Sequence, residues 1–67
     1  MGQISTLYSL IGIDGNAFAI MGYVQRAMRH EKFTKEEIDA YIKKATSSDY
    51  YHLIVISMEQ IEKCNNR

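Results

Sequence analysis

The stretch Phe33-Thr34-Lys35-Glu36-Glu37-Ile38 contains the clearest structural signal in the sequence. Thr34 is suited to cap a helix by accepting the backbone N–H of Glu37, whose carboxylate can reach back to the Thr34 N–H. The phenylalanine before the cap and the isoleucine at the fourth helical position form the hydrophobic staple that accompanies such a capping box. Two lysines near the other end suit the helix dipole. The sequence therefore predicts a helix over about 35–46.

Upstream, Asp14-Gly15-Asn16 is a cluster of turn residues, and Asn16 is a suitable N-cap for a helix over about 17–31. On a helical wheel its apolar arc contains Phe18, Ile20, Met21, Val24, Ala27 and Met28. The other side contains Ala19, Tyr23, Arg26, Arg29 and His30. This amphipathic pattern predicts that the helix packs against its neighbours through one face.

Downstream, Thr46-Ser47-Ser48-Asp49 interrupts the pattern, and Ser48 or Asp49 can cap a third helix over about 50–64. The main apolar arc of that helix contains Tyr50, Leu53, Ile54, Met58, Ile61 and Cys64. Its centre also contains an apolar run that could form a buried strand, but a length of about fifteen residues favours a helix.

The third helix carries further apolar residues outside its main arc. Val55 and Ile56 lie there and, together with Tyr51, leave the helix apolar over most of its circumference. A helix of that kind is either central in a bundle or shared with a partner. Val55 and Ile56 are therefore one candidate interaction surface.

Residues 1–13 are compatible with more than one structure. Ile4, Leu7 and Ile11 have helical spacing, whereas Ile4, Thr6, Tyr8 and Leu10 alternate as they would in a strand. A single strand would have no partner in an otherwise helical chain, so we expect an N-terminal arm or a short extra helix. The sequence as a whole predicts an all-α fold, in which 1–67 form a single domain built as a small bundle of three main helices.

Composition narrows the classes of function. The chain has 67 residues, with eight basic and eight acidic side chains, and its formal net charge is zero. Nucleic-acid-binding domains usually carry a cationic excess, so this class is disfavoured, although a local basic patch remains compatible with neutrality. One cysteine cannot form an intrachain disulfide, and no transmembrane or signal segment is recognisable. We therefore expect a cytoplasmic protein.

Patterns that support catalysis or metal binding are absent from the sequence. His30, His52 and Cys64 are too far apart to resemble a metal-ligand motif. Cys64 lies close to a polar C-terminus, where few neighbours could activate it. We expect no enzyme activity, no cofactor, no metal and no small-molecule substrate.

The outer face of the first long helix is the second candidate interaction surface. Tyr23, Arg26 and His30 follow one another along it, flanked by Arg29 and Lys32. A tyrosine among cations suits phosphate, RNA or an acidic protein surface, although a solvated face has the same composition. The predicted partner-binding residues of both surfaces are Tyr23, Arg26, Arg29, His30, Val55 and Ile56.

Several short stretches together carry a family resemblance. They are Leu10-Ile11-Gly12-Ile13-Asp14-Gly15-Asn16-Ala17-Phe18, Met21-Gly22, Arg26-Ala27, Phe33-Thr34-Lys35-Glu36-Glu37-Ile38, Ala45-Thr46-Ser47-Ser48-Asp49-Tyr50 and His52-Leu53. In them the chain resembles a set of short uncharacterised bacterial proteins, often carried on prophages and other mobile elements, with the pattern GNAF…MG…RA…EEI…ATSGDY.HL. The resemblance covers about residues 10–58 and departs at Ser48, where the pattern has glycine. It implies a bacterial or phage source and an accessory interaction role, without an activity, cofactor or catalytic residue.

These observations lead to two expectations about function. The first is a non-enzymatic accessory protein that acts through protein–protein interaction, either with an unidentified partner or with itself as a homodimer. The alternative is a weak nucleic-acid-binding module that uses the basic patch of Arg26, Arg29 and Lys32.

Overall fold

The structure is a computed structural model that describes residues 8–66. Within this range it contains three helices and no strand: α1 (Ala17–His30), α2 (Lys35–Ala45) and α3 (Tyr50–Asn65). The predicted all-α fold is confirmed, and each helix begins and ends within one residue of its predicted limits. None of the described helices is long and apolar enough to span a membrane.

The helix starts are fixed by the predicted caps. Thr34 Oγ1 accepts the N–H of Glu37 at 3.1 Å, and Glu37 Oε1 accepts the N–H of Thr34 at 2.8 Å, so the capping box is complete. Asn16 Oδ1 accepts the N–H of Phe18 at 2.7 Å and caps α1. Asp49, not Ser48, caps α3, because its Oδ1 accepts the N–H of His52 at 2.9 Å. Each cap contributes about 1 kcal/mol to helix stability.

The connection between α1 and α2 is a Schellman motif. The N–H of Phe33 donates to the carbonyl of Met28 at 2.9 Å, and the N–H of Lys32 donates to that of Arg29 at 3.0 Å. This geometry requires the residue between the two helices to adopt a left-handed conformation, and Lys32 has φ +68°. A lysine therefore occupies a position that glycine takes at lower cost.

The core lies between the three helices. Its buried apolar side chains are Ile20, Met21, Val24, Ala27, Met28, Ile38, Tyr41, Ala45, Leu53, Ile56, Ile61 and Cys64. Helix α3 packs extensively against both α1 and α2, whereas α1 and α2 meet over a smaller area. Helix α3 therefore buries side chains on two of its sides, one toward α1 and one toward α2.

One polar pair lies inside this core. The Tyr41 hydroxyl and Ser57 Oγ are 2.6 Å apart, and both side chains are buried. Among the described residues, every buried side-chain nitrogen or oxygen has a hydrogen-bond partner. Burial raises the pKa of Tyr41, while the bond to Ser57 acts in the opposite direction. The pair thus joins α2 to α3 at one fixed rotation of α3.

Two of the predicted apolar arcs need correction. Phe18, expected in the core, is 80% exposed, because it lies in the first turn of α1 at the edge of the buried arc. Ile56, expected outside the main arc of α3, is only 8% exposed. Tyr50 and Met58, expected inside that arc, are exposed. The buried side of α3 is rotated toward Ile56 and Ser57 because it must contact α2 as well as α1.

Ahead of α1, residues 8–13 form a segment that we call the strap. The N–H of Ile13 donates to the carbonyl of Leu10 at 3.2 Å, which closes a tight turn. Gly12 occupies the third position of this turn with φ +86°, a conformation that favours glycine. The described part of the expected N-terminal arm is thus non-helical, and residues 1–7, where a short helix was the alternative, lie outside the described residues.

Lys32→Gly is expected to stabilise the protein. Glycine removes the left-handed strain of about 1–2 kcal/mol, against an entropic cost of about 0.5–1 kcal/mol in the unfolded chain. A net gain of about 1 kcal/mol would raise Tm by roughly 4–8 °C in a domain of this size, as measured by thermal circular dichroism. The control is Lys43→Gly, at an exposed helical position of α2, which should lower Tm. A lower Tm for Lys32→Gly would contradict the strain argument.

A double-mutant cycle tests the buried Tyr41–Ser57 pair. Ser57→Ala should cost about 1–3 kcal/mol in the free energy of unfolding, because it leaves the buried Tyr41 hydroxyl without its partner. Tyr41→Phe should cost less, since a helical serine can bond back to its own backbone. The double variant should cost less than the sum of the two, as measured by urea unfolding. Ser48→Ala, at an exposed position outside the helices, is the control and should change stability by less than about 0.5 kcal/mol. Simple additivity would show that the two hydroxyls contribute independently.

Candidate interaction site

The strap is attached to the bundle mainly through Tyr8. Its backbone N–H donates to Asn65 Oδ1 at 2.7 Å, and Asn65 Nδ2 donates to the Tyr8 carbonyl at 3.0 Å. The Tyr8 ring meets the rings of Tyr23 and His30 edge to face, with centroids 6.5 and 6.2 Å apart. One residue therefore links the last turn of α3 to the second half of α1.

The Tyr8 hydroxyl completes this attachment. It donates to Glu31 Oε2 at 2.6 Å and lies 2.7 Å from His30 Nδ1. Because its single proton points to Glu31, its oxygen accepts the Nδ1–H of His30. The hydrogen bond to the Glu31 carboxylate is the largest cause that raises the pKa of Tyr8 to about 12. We call Tyr8, His30 and Glu31 the latch, because their hydrogen bonds hold the strap against α1.

The predicted α1 surface is partly occupied by this latch. Tyr23, Arg26 and His30 do lie together, around a shallow hollow that Tyr8 also lines. The Tyr23 hydroxyl accepts the N–H of Ser9 at 2.9 Å, so its side chain is half-buried beneath the strap. Of the four predicted residues here, only Arg26 and Arg29 point into solvent without a hydrogen bond to the described part of the chain.

A groove runs between the strap and α3. The strap contributes Leu10, Ile11 and Ile13, and the helices contribute Ile20, Tyr50, Ile54, Met58 and Ile61. The Tyr50 hydroxyl donates to the Gly15 carbonyl and closes one end. Glu62 is the one charged side chain among the described residues that line the groove. The groove is therefore an apolar surface with an acidic end.

A second hollow lies beside the groove on α3. It is lined by Tyr51, Ile54, Val55, Met58, Glu59 and Glu62. Because Ile54, Met58 and Glu62 line both depressions, the two form one continuous surface. We call its apolar part the α3 face, which consists of Ile11, Tyr50, Tyr51, Ile54, Val55 and Met58.

The α3 face is strongly exposed. Ile11 is 92% exposed, Tyr51 is 75% exposed, Met58 is 58% exposed and Tyr50 is 50% exposed. Phe18 is the one other large apolar side chain of the described residues that is exposed to this degree. Most of the exposed large apolar residues are thus gathered on one surface, whereas isolated ones are usually scattered.

The structure divides the predicted surface of Val55 and Ile56 in two. Val55 belongs to the α3 face and is half-buried, whereas Ile56 packs in the core and is 8% exposed. Partner binding by these two residues stays a prediction, and only Val55 is part of the α3 face. Ile11 and Met58 were not among the predicted residues. A signal for Met58 exists in the sequence, because Tyr51, Val55, Met58 and Glu62 follow the heptad spacing of helix interfaces.

Ionisable side chains come together at one main place, the latch. Its tyrosine, histidine and glutamate bond to one another and hold the strap, which explains their arrangement structurally. Within residues 8–66, no group of three or more His, Cys, Asp or Glu side chains could hold a metal ion. The site with the clearest potential for recognition is therefore the α3 face.

Alkaline titration tests the latch. Tyr8 has a raised pKa in the folded chain, so its contribution to stability is complete below its ordinary pKa of 10.0 and is lost as pH rises through about 12. Tyr8→Phe should remove one tyrosine from the high-pH tyrosinate absorbance and leave the contribution of the buried Tyr41, whose pKa is also raised. Glu31→Gln should move the Tyr8 step to lower pH. A high-pH step of unchanged amplitude and position in both variants would show that the latch does not form.

No family model, curated protein or solved structure matches the chain. The resemblance of residues 10–58 to short bacterial and prophage proteins therefore stays a prediction. What the chain does must be argued from its own side chains, and the α3 face gives the strongest argument.

Proposed function

We propose that this chain is a non-enzymatic accessory protein that acts through protein–protein interaction, and that it associates with a second copy of itself through the α3 face. The observation that carries the proposal is the continuous apolar surface formed by the strap and α3. From the family resemblance and the composition we also propose a bacterial or prophage source and a cytoplasmic location.

The composition of the α3 face supports this role. Tyrosine and methionine are enriched in protein interfaces, and charged residues are depleted from their centres. Here Tyr50, Tyr51 and Met58 supply much of the exposed apolar area, while Glu59 and Glu62 are the charged side chains of the same surface. In interfaces of this kind, a few large side chains supply most of the binding energy.

The charge of the chain favours a second copy as the partner. With eight charges of each sign, two copies do not repel each other through net charge. The apolar surface also has little electrostatic attraction to offer a strongly charged partner. Self-association requires only that two such faces cover each other.

The alternative function is weak nucleic-acid binding by Arg26, Arg29 and Lys32. The exposure of Arg26 and Arg29 on α1 is compatible with phosphate contacts. Glu31 lies between Arg29 and Lys32 in the sequence, however, and its carboxylate accepts the Tyr8 hydroxyl. A neutral chain with an acidic group in this basic patch would bind phosphates weakly.

The solution mass, measured by light scattering over a range of concentrations, tests the proposal. Wild type should approach the mass of a dimer, and Ile11→Lys/Met58→Lys should be a folded monomer, because lysine at these positions would place charge in the apolar part of the interface. Both residues are exposed, so the fold should persist, as checked by circular dichroism.

The matched control is Arg26→Glu/Arg29→Glu, on the opposite candidate surface. It should keep the dimer mass, and it should abolish any salt-sensitive shift of a labelled oligonucleotide. A monomer at every concentration for wild type would contradict self-association. Loss of the dimer in the Arg26→Glu/Arg29→Glu variant would move the interface to α1.

A further inference from the structure

We propose that two copies pack α3 against α3 in antiparallel orientation, about a two-fold axis that passes beside Val55 and Met58. This inference rests on the proposed function, since it requires that the α3 face self-associates. It adds the orientation of the two chains and the residues that meet across the interface.

The spacing of the exposed residues supports a helix–helix contact along α3. Tyr51, Val55, Met58 and Glu62 line the same hollow, at intervals of four, three and four residues. Alternation of three and four residues keeps a stripe on one side of a helix, as in coiled coils. Two such stripes pack at a crossing angle of about 20°, which allows contact over most of the helix length.

The distribution of charge selects the antiparallel orientation. In a parallel pair, Glu62 would face Glu62 of the second copy, which places like charges together. In an antiparallel pair, Val55 faces Met58 of the second copy and Tyr51 faces Glu62 of the second copy. A tyrosine hydroxyl can donate to a carboxylate, so both ends of the stripe gain a charge-assisted hydrogen bond. Antiparallel helix dipoles add to this preference.

The available apolar area lies near the lower limit for such a dimer. With about 200 Å² for a large side chain, the exposed parts of Ile11, Tyr50, Tyr51 and Met58 provide roughly 550 Å² of apolar surface per copy. Two copies together reach about 1,100 Å² before the polar rim is included, whereas stable interfaces bury about 1,200–2,000 Å² in total. The rim residues Glu59 and Glu62 bring the interface into that range.

A two-fold axis also accounts for the order of residues along the stripe. An isologous interface needs each surface to be its own complement, so a donor at one end must meet an acceptor at the other. Tyr51 and Glu62 lie at opposite ends of the stripe and satisfy this requirement, with the two apolar residues between them.

Disulfide trapping distinguishes the orientations. Wild type is the background control, because its single cysteine, Cys64, is buried. Tyr51→Cys is mixed with isotope-labelled Glu62→Cys at a concentration where light scattering shows dimers, oxidised mildly, and analysed by intact mass. The mixed pair should give the crosslinked heterodimer, whereas Tyr51→Cys alone should give little. In the antiparallel pair, two copies of residue 51 lie about 16 Å apart along the helices, beyond the roughly 7 Å limit for a disulfide.

The outcomes separate this inference from the proposed function. Crosslinking of Tyr51→Cys with itself, without the mixed product, would establish the parallel orientation and overturn the antiparallel one while leaving self-association intact. A dimer in which no crosslink forms would also overturn the antiparallel packing. A wild-type chain that is monomeric in light scattering would overturn both. As a second measurement, Glu62→Lys should weaken the dimer at least tenfold, whereas Lys43→Glu, on the exposed side of α2, should not.

Discussion

The hydrogen bond between Tyr41 and Ser57 sets the rotation of α3 about its own axis. The two hydroxyls are buried where α2 meets α3, so neither could lose the other without a cost in stability. Ser57 shares the buried side of α3 with Leu53, Ile56 and Ile61, so that Tyr51 and Met58 lie on the exposed side. The side chains that α3 exposes on the α3 face are therefore determined by those that it buries against α1 and α2.

The sequence predicted local features better than the rotation of helices. The caps at Asn16, Thr34 and Asp49 depend on residues within one turn, so their chemistry can be read directly from the chain. The position of Ile56 depends instead on contacts with both α1 and α2, and α3 is apolar on most of its sides. A helical wheel then offers two arcs of similar hydrophobicity, and only the packing of the other helices decides between them. The assignment of Ile56 was wrong for this reason, whereas that of Phe18 was wrong because this residue lies in the first turn of α1, at the edge of its buried arc.

The candidate site was predictable only in part for a related reason. Val55 and the tyrosine–arginine–histidine surface of α1 are visible as exposed patterns along single helices. The groove instead combines the strap with α3, and the contact between Tyr8 and Asn65 spans 57 positions in the chain. The hydrophobic periodicity of a single helix cannot predict a contact between residues so far apart in the chain. The heptad spacing that ends at Glu62 was present in the sequence, but its meaning depends on which side of α3 is exposed.

The long separation between Tyr8 and Asn65 has a consequence for the order of folding. Docking of the strap joins Tyr8 to Asn65, and these residues come close only when α1 and α3 are packed together. Packing of the helices closes most of the loop between them, so its entropic cost falls on the bundle and not on the strap. Within residues 8–66, the strap wall of the groove therefore assembles after the bundle. Circular dichroism, which measures helix content, would therefore indicate complete folding before the strap has docked and the groove has formed.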